Sequence, residues 1–259
     1  MVHEVAAAGF RDPTDYEAAR PSYPPDAIDW FVTTMRLGPG KTVCDLAAGT
    51  GKFTRLLVRS GAHVVALEPV AGMRAAFRSV LPRVALGAGA AEALPLRDAS
   101  IDALTVAQAW HWFDAQPAFA EARRALRPGG WLGVVWNVRD RTEPWVNEVW
   151  SIMDRVEKHA PWRDHERSRP EEFGNEPGFG PLHHAEFHHR QAITPAGVVQ
   201  RVASVSHVAV LSEPEKARVL AEVERVLDEH PDCAGREELE IPYRVDCHAV
   251  QRVATGRAR

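Results

Sequence analysis

The sequence of 259 residues is poor in cysteine, with only Cys44, Cys233 and Cys247. So few thiols, scattered along the chain, exclude a disulfide framework and a tetrahedral zinc site, and they fit reduced thiols in a cytoplasmic protein. Positive charge is not in excess: 31 Lys and Arg against 35 Asp and Glu leave a net charge of -4, so a long polyanion finds no basic field and nucleic acid is not expected as a partner. Long hydrophobic runs are also missing. Segments such as VVAL and WLGVVW are far too short to cross a bilayer, and the opening MVHEVAAAGF lacks the apolar core of a signal peptide, so no membrane association is expected. Histidine is plentiful at 12, yet His183, His184, His188 and His189 have no cysteine or carboxylate set to complete a metal site. On an alternating segment His183 and His184 point to opposite faces, so surface histidines are the expectation and metal none. No internal repeat is visible, and 45% hydrophobic residues are enough to bury a sizeable core.

The stretch from Thr42 to Thr54, TVCDLAAGTGKFT, organises the rest. Val43, Cys44 and Leu46 read as a buried strand, Asp45 lies near its end, and Ala47, Gly49 and Gly51 let the backbone turn sharply. Lys52 to Ser60 then continues at helical period with Phe53, Leu56 and Leu57 inward. Unpaired backbone donors at the start of that helix favour an anionic group, which makes the turn a candidate floor for a nucleotide. A dinucleotide fingerprint requires G-x-G-x-x-G, and Lys52 stands where its third glycine belongs.

Further along, strand and helix alternate. Residues 10–25 mix Tyr16, Arg20 and Tyr23 with prolines that permit only a short helix and an extended arm. A helix over Asp26 to Met35 leads into the first strand. Ala62 to Leu67 is a second strand, with Glu68 about 20 residues past the first glycines, where a carboxylate reaches ribose hydroxyls. A helix over Ala71 to Val80, short strands at Val84 to Leu86 and Ile101 to Val106, and a helix over Pro117 to Leu126 follow. Pro128-Gly129-Gly130 is expected to end that helix before a strand over Trp131 to Val138. Beyond it the spacing predicts a helix over Glu143 to His159, a Pro- and Gly-rich lid or mobile connection over Pro161 to Pro181, a strand over His183 to Ile193, helices over Pro195 to Ser204 and Glu213 to Glu229, and a last strand over Leu239 to Val250.

The turn AAGTG, Glu68, Ala91-Glu92 before LPL, and LRPGGWL occur in an order that resembles the class I S-adenosylmethionine-dependent methyltransferases, specifically the type 11 group. The resemblance covers residues 41–138 and implies a Rossmann-like, doubly wound α/β/α fold, a seven-stranded sheet mostly parallel with an antiparallel last strand. In that scheme the chain is one domain over 1–259. Residues 1–40 form an arm and helix acting as a lid, 41–138 a cofactor core, and 139–259 a C-terminal half carrying an insertion over 143–181. The resemblance places S-adenosylmethionine over Asp45, Ala47, Ala48, Gly49, Thr50 and Gly51, its ribose on Glu68, its adenine beside Pro69, Val70, Met73, Ala91 and Glu92, and its amino end by Gln108 and Ala109. Ala47 replaces the family's usual first glycine, which a negative φ tolerates. Ala90 stands where many relatives have an aspartate.

At the exit of the fourth strand the chain has AQAWHWFD in place of the Asn/Asp-Pro-Pro-aromatic loop of enzymes that methylate exocyclic amines. That run and YEAARPSYP resemble the trans-aconitate methyltransferase-like subset, which implies a small, acidic or lipid-like acceptor. Tyr16, Arg20, Tyr23, Trp110, His111, Trp112, Trp136 and Asn137 are the candidate acceptor residues, in a monomer or homodimer. His111 is the candidate general base, against the plainer reading that its ring only stacks between two tryptophans. The rival functions are a cofactor-binding protein without catalysis and a nucleotide-dependent oxidoreductase. The acceptor's identity and the methylated atom are left open.

Overall fold

The computed structural model describes residues 20–157 and 170–253. The expected single sheet is present with seven strands: β1 (Thr42–Leu46), β2 (His63–Leu67), β3 (Ala85–Gly87), β4 (Ile101–Ala107), β5 (Leu126–Arg139), β6 (His183–Ile193) and β7 (Leu239–Gln251). Their order is β3-β2-β1-β4-β5-β7-β6. The first five run parallel, and β7 pairs antiparallel with both β5 and β6. The order reverses between β1 and β4, and in an open parallel sheet that switch point leaves a crevice at the carboxyl ends of the strands, where ligands bind.

Buried strands alternate their side chains between two faces. Val43, Ala103, Val135 and Val245 face α1 (Pro25–Thr34) and α2 (Lys52–Leu57), where Phe31 and Phe53 pack edge to face at 5.9 Å. Cys44, Leu46, Leu104, Val106 and Leu132 face the opposite side, onto Ala118, Phe119 and Ala122 of α4 (Ala115–Ala125). Between them runs α3 (Ala71–Val80), burying Met73 and Phe77. A third cluster gathers α5 (Pro144–Glu157), α6 (Pro195–Ala203), α7 (Ser206–Ala209) and α8 (Glu213–Glu229) on Leu239, Ile241 and Tyr243 at the start of β7. Each of these large apolar side chains contributes about 1.5–3 kcal/mol by leaving water.

Two expectations are corrected. Pro128-Gly129-Gly130 lies inside β5 and does not end a helix; Gly129 takes φ 78°, and the strand meets β4 through a register shift between Ile101 and Ala103. The expected lid over Pro161 to Pro181 falls partly outside the described residues, and its described end is pinned. Phe173 and Phe179 are buried, and Phe173 sits 4.8 Å from Trp110 and 5.3 Å from Phe119. Arg123 also donates to the Pro177 carbonyl at 2.7 Å. A composition rich in proline and glycine conceals two aromatic anchors, which fix the segment through contacts remote in sequence. The short helix α7 was not expected at all.

Candidate active site

The turn after β1 is built from below. Asp45 is fully buried, and its carboxylate accepts from the Thr54 hydroxyl at 2.5 Å and the Thr105 hydroxyl at 3.1 Å. Its side chain therefore braces the turn against α2 and β4 and does not line a pocket, contrary to the direct contact expected. Burial pushes this carboxyl up to about 7 against the pull of the two hydroxyls. Between an unfolded value of about 4 and that point, the folded chain holds a proton the unfolded chain has lost. Stability owed to Asp45 accordingly falls by up to about 1.4 kcal/mol per pH unit as pH rises through the window. Asp45→Asn is expected to flatten this dependence in urea denaturation at pH 5 and pH 7.5. The same pH difference in both proteins would assign it to other groups.

Above Asp45 the backbone enters the left-handed region three times, at Ala47 (φ 55°), Gly49 (57°) and Gly51 (87°). The negative φ expected for Ala47 is wrong: alanine occupies a conformation that favours glycine, held there by the Ala48 N–H donating to the Leu67 carbonyl at 3.1 Å. The two glycines do different things. A Cβ at Gly51 would lie 2.8 Å from Leu81 and 2.9 Å from Phe77, so this glycine lets α3 approach. A Cβ at Gly49 would meet nothing within 4 Å and points into open space. Thr50 is turned into the interior. The helix that follows has only six residues, so the cradle rests on loop geometry and less on a helix dipole.

Glu68, at the end of β2, closes the turn from the side. One carboxylate oxygen accepts from the Gly49 N–H at 2.9 Å and the other from the Val70 N–H at 2.8 Å. Burial raises its pKa, opposed first by these two bonds. Arg74 clamps the same loop through the Glu68 and Pro69 carbonyls at 2.8 and 2.6 Å, a contact that the sequence did not suggest. A carboxylate offers about four acceptor positions, so two stay available beside the turn. Glu68 is itself 4% exposed, and Met73, at 2%, packs in the interior without a polar group to turn toward a ligand. Ala91 is buried too, and Glu92 accepts from the Asp114 N–H at 3.0 Å, tying its loop to the start of α4.

Gln108 and Ala109 follow β4 across the crevice. Gln108 takes φ 59°, with its N–H donating to the Val135 carbonyl at 2.9 Å, which turns the chain away from the sheet at the switch point. Of the aromatic run beyond, Trp110 is fully buried among Phe113, Phe119 and Phe173, so it is core and not a pocket wall. His111 and Trp112 are partly exposed, their rings 5.0 Å apart at 42°. Tyr23 is also core, edge-on to Phe53 at 5.1 Å. Trp136 packs on Phe173 and His248. Tyr16 lies outside the described residues.

Residues 20–24, the described end of the arm before α1, form a strap held by three hydrogen bonds. Lys52 donates to the Arg20 carbonyl at 2.6 Å, Asn137 donates to the Ser22 carbonyl at 3.1 Å, and the Arg20 guanidinium donates to the Ser204 carbonyl at 3.1 Å. It thus joins the glycine turn, the end of β5 and the end of α6. His189, expected on the surface, is half-buried, stacked on Tyr243 at 5.3 Å and 3.4 Å from the Asn137 oxygen; burial lowers its pKa. A groove between α5 and α8, lined by Asn147, Ser151, Glu222 and Arg225 among others, shares no residue with the turn. Among the described residues no cluster of His, Cys, Asp and Glu can hold a metal, and no helix is long and apolar enough to cross a membrane.

Known proteins resemble this chain in sequence and in fold. A family model described as a methyltransferase domain matches residues 44–134. An uncharacterised methyltransferase of Mycobacterium tuberculosis is 40% identical over 232 residues, covering 90% of each chain. An uncharacterised methyltransferase-like protein of Schizosaccharomyces pombe is 34% identical over 249 residues, 94% of this chain and 95% of that one. A solved structure from Anaeromyxobacter dehalogenans, 24% identical, aligns with a TM-score of 0.66 over 90% of this chain and 98% of its own, a likeness of fold. The chain belongs to the class I S-adenosylmethionine-dependent methyltransferases.

Proposed function

We propose that this protein transfers a methyl group from S-adenosylmethionine to a small-molecule acceptor. The observation that carries the reading is the turn at Gly49: a left-handed backbone whose absent side chain leaves open space, flanked by a carboxylate with acceptor capacity to spare. Gly40 and Gly235 are equally open at positive φ, and what sets Gly49 apart is its place at the switch point of the sheet beside Glu68. The residues fit the cofactor on this ground, with Ala47 to Gly49 beneath it, Glu68 toward ribose hydroxyls, and Gln108 and Ala109 on the opposite wall.

When bound, the cofactor supplies an activated methyl group on a positively charged sulfur. What the chain adds is alignment and exclusion of water. In this reading the strap over Arg20 to Ser22, held by Lys52 and Asn137, shields the crevice, with Asn137, Trp112 and His111 on the acceptor side. Calorimetric titration with S-adenosylmethionine and S-adenosylhomocysteine tests cofactor use, and an acceptor panel read by S-adenosylhomocysteine release tests transfer. Saturable binding with turnover on a small acceptor is expected. A folded protein that binds neither compound sinks the proposal.

For His111 the tilted ring contact with Trp112 favours a role in fixing the loop. On an acceptor from that panel, His111→Asn is expected to keep turnover within about tenfold and to leave the pH profile in place. A loss of about 10²–10⁴ in turnover, with the acidic limb of the profile gone and cofactor affinity intact, would instead make His111 the general base.

A further inference from the structure

Where the strap reaches the C-terminal half, several arginines are gathered. Arg139 ends β5 and is the cross-strand partner of Tyr243, on the face that also carries Asn137 one pleat repeat earlier, about 7 Å away. Its guanidinium lies 4.9 Å over the ring of Trp150. Burial depresses its pKa to about 9; Arg201 pushes the same way, Tyr243 opposes it, and Arg20 and Arg141 add to the lowering. Arg201, on α6, is 3% exposed, and its Nε and Nη1 atoms have no hydrogen-bond partner. Tyr243, paired across the strands with Arg139, also has a buried hydroxyl without a partner. Arg20 arrives from the strap, its guanidinium bonded to the Ser204 carbonyl at the end of the helix that carries Arg201. Arg141, by comparison, is already satisfied by Asp154, Asn147 and Ser151.

A buried guanidinium with idle donors is costly, and a carboxylate or an apolar substitute would remove that cost if the group served only the fold. Planar forked donors match an oxyanion, and a neutral phenol adds a further donor. We propose that Arg139, Arg201 and Tyr243, closed over by Arg20, form an anion-binding subsite, so that the methylated molecule carries a carboxylate or phosphate group. The site lies beyond Asn137 on the acceptor side of the strap, away from the glycine turn. That the bearer of the anion is the methyl acceptor rests on the function proposed above; the anion subsite itself does not.

The test is thermal unfolding of the whole chain against rising succinate, and in a second series inorganic phosphate, each at constant ionic strength set with sodium chloride. The wild type is expected to show a saturable rise in Tm with at least one of them, and the stronger response tells a carboxylate bearer from a phosphate bearer. Arg201→Met is expected to weaken that response about tenfold or more without lowering the Tm measured in chloride alone, since an unpaired buried charge has been removed. Arg201→Lys, which keeps the charge and loses the fork, provides the same comparison should the methionine variant fail to fold. No response in the wild type beyond the chloride control, or an equal response in the folded variants, would overturn the subsite. Calorimetry with S-adenosylmethionine runs alongside and should be unchanged by these substitutions. A wild type that responds to anions but binds no cofactor would refute methyl transfer and leave the anion site standing.

Discussion

Gly49→Val is expected to reduce S-adenosylmethionine affinity by about 10²-fold or more in a chain that still folds. Two effects combine. The added side chain projects into the space where nothing lies within 4 Å, and a β-branched residue is strained at φ 57°. Gly49→Ala separates them, since it meets the same backbone strain with less bulk and should fall between wild type and valine. Calorimetry with both the cofactor and its demethylated product gives the measurement, and circular dichroism the control. A folded valine variant that binds both normally would make this turn a piece of architecture and nothing more.

Glu68→Ala is expected to weaken the cofactor by about 1.5–3 kcal/mol, about tenfold to 10²-fold. The structure adds a complication that the sequence could not reveal: Glu68 already holds the N–H groups of Gly49 and Val70. A drop in affinity could then arise from a loosened turn with no ribose contact behind it. A double-mutant cycle resolves this, using S-adenosylhomocysteine and an analogue without ribose hydroxyls. If Glu68 meets the ribose, the wild type prefers the hydroxylated ligand and Glu68→Ala does not. An equal preference in both proteins would reduce Glu68 to a staple for the turn.

Much of the fold was legible because it is periodic. The 71–80 and 213–229 helices and the 183–193 strand fall where spacing alone put them. The site was legible only where chemistry coincides with local sequence, in the glycine turn and the carboxylate after β2. Side-chain direction was not. Tyr23, Trp110, Thr50 and Met73 lie within motifs that point at a ligand, yet each is buried, because an aromatic or apolar residue beside a pocket and one behind it read alike. At Ala47 the expected backbone angle was wrong, since it depends on a carbonyl of β2 and not on its neighbours. Arg139 and Arg201 attracted no notice, being far apart in the chain and joined only by packing at the start of β7.

The strap over Arg20 to Ser22 is gripped by its backbone: Lys52 and Asn137 both reach main-chain oxygens. Those two bonds do not depend on which side chains the gripped residues carry. The grip is consequently written in Lys52 and Asn137 and not in the residues they hold. Drift in the side chains at Arg20 and Ser22 therefore costs those two bonds nothing.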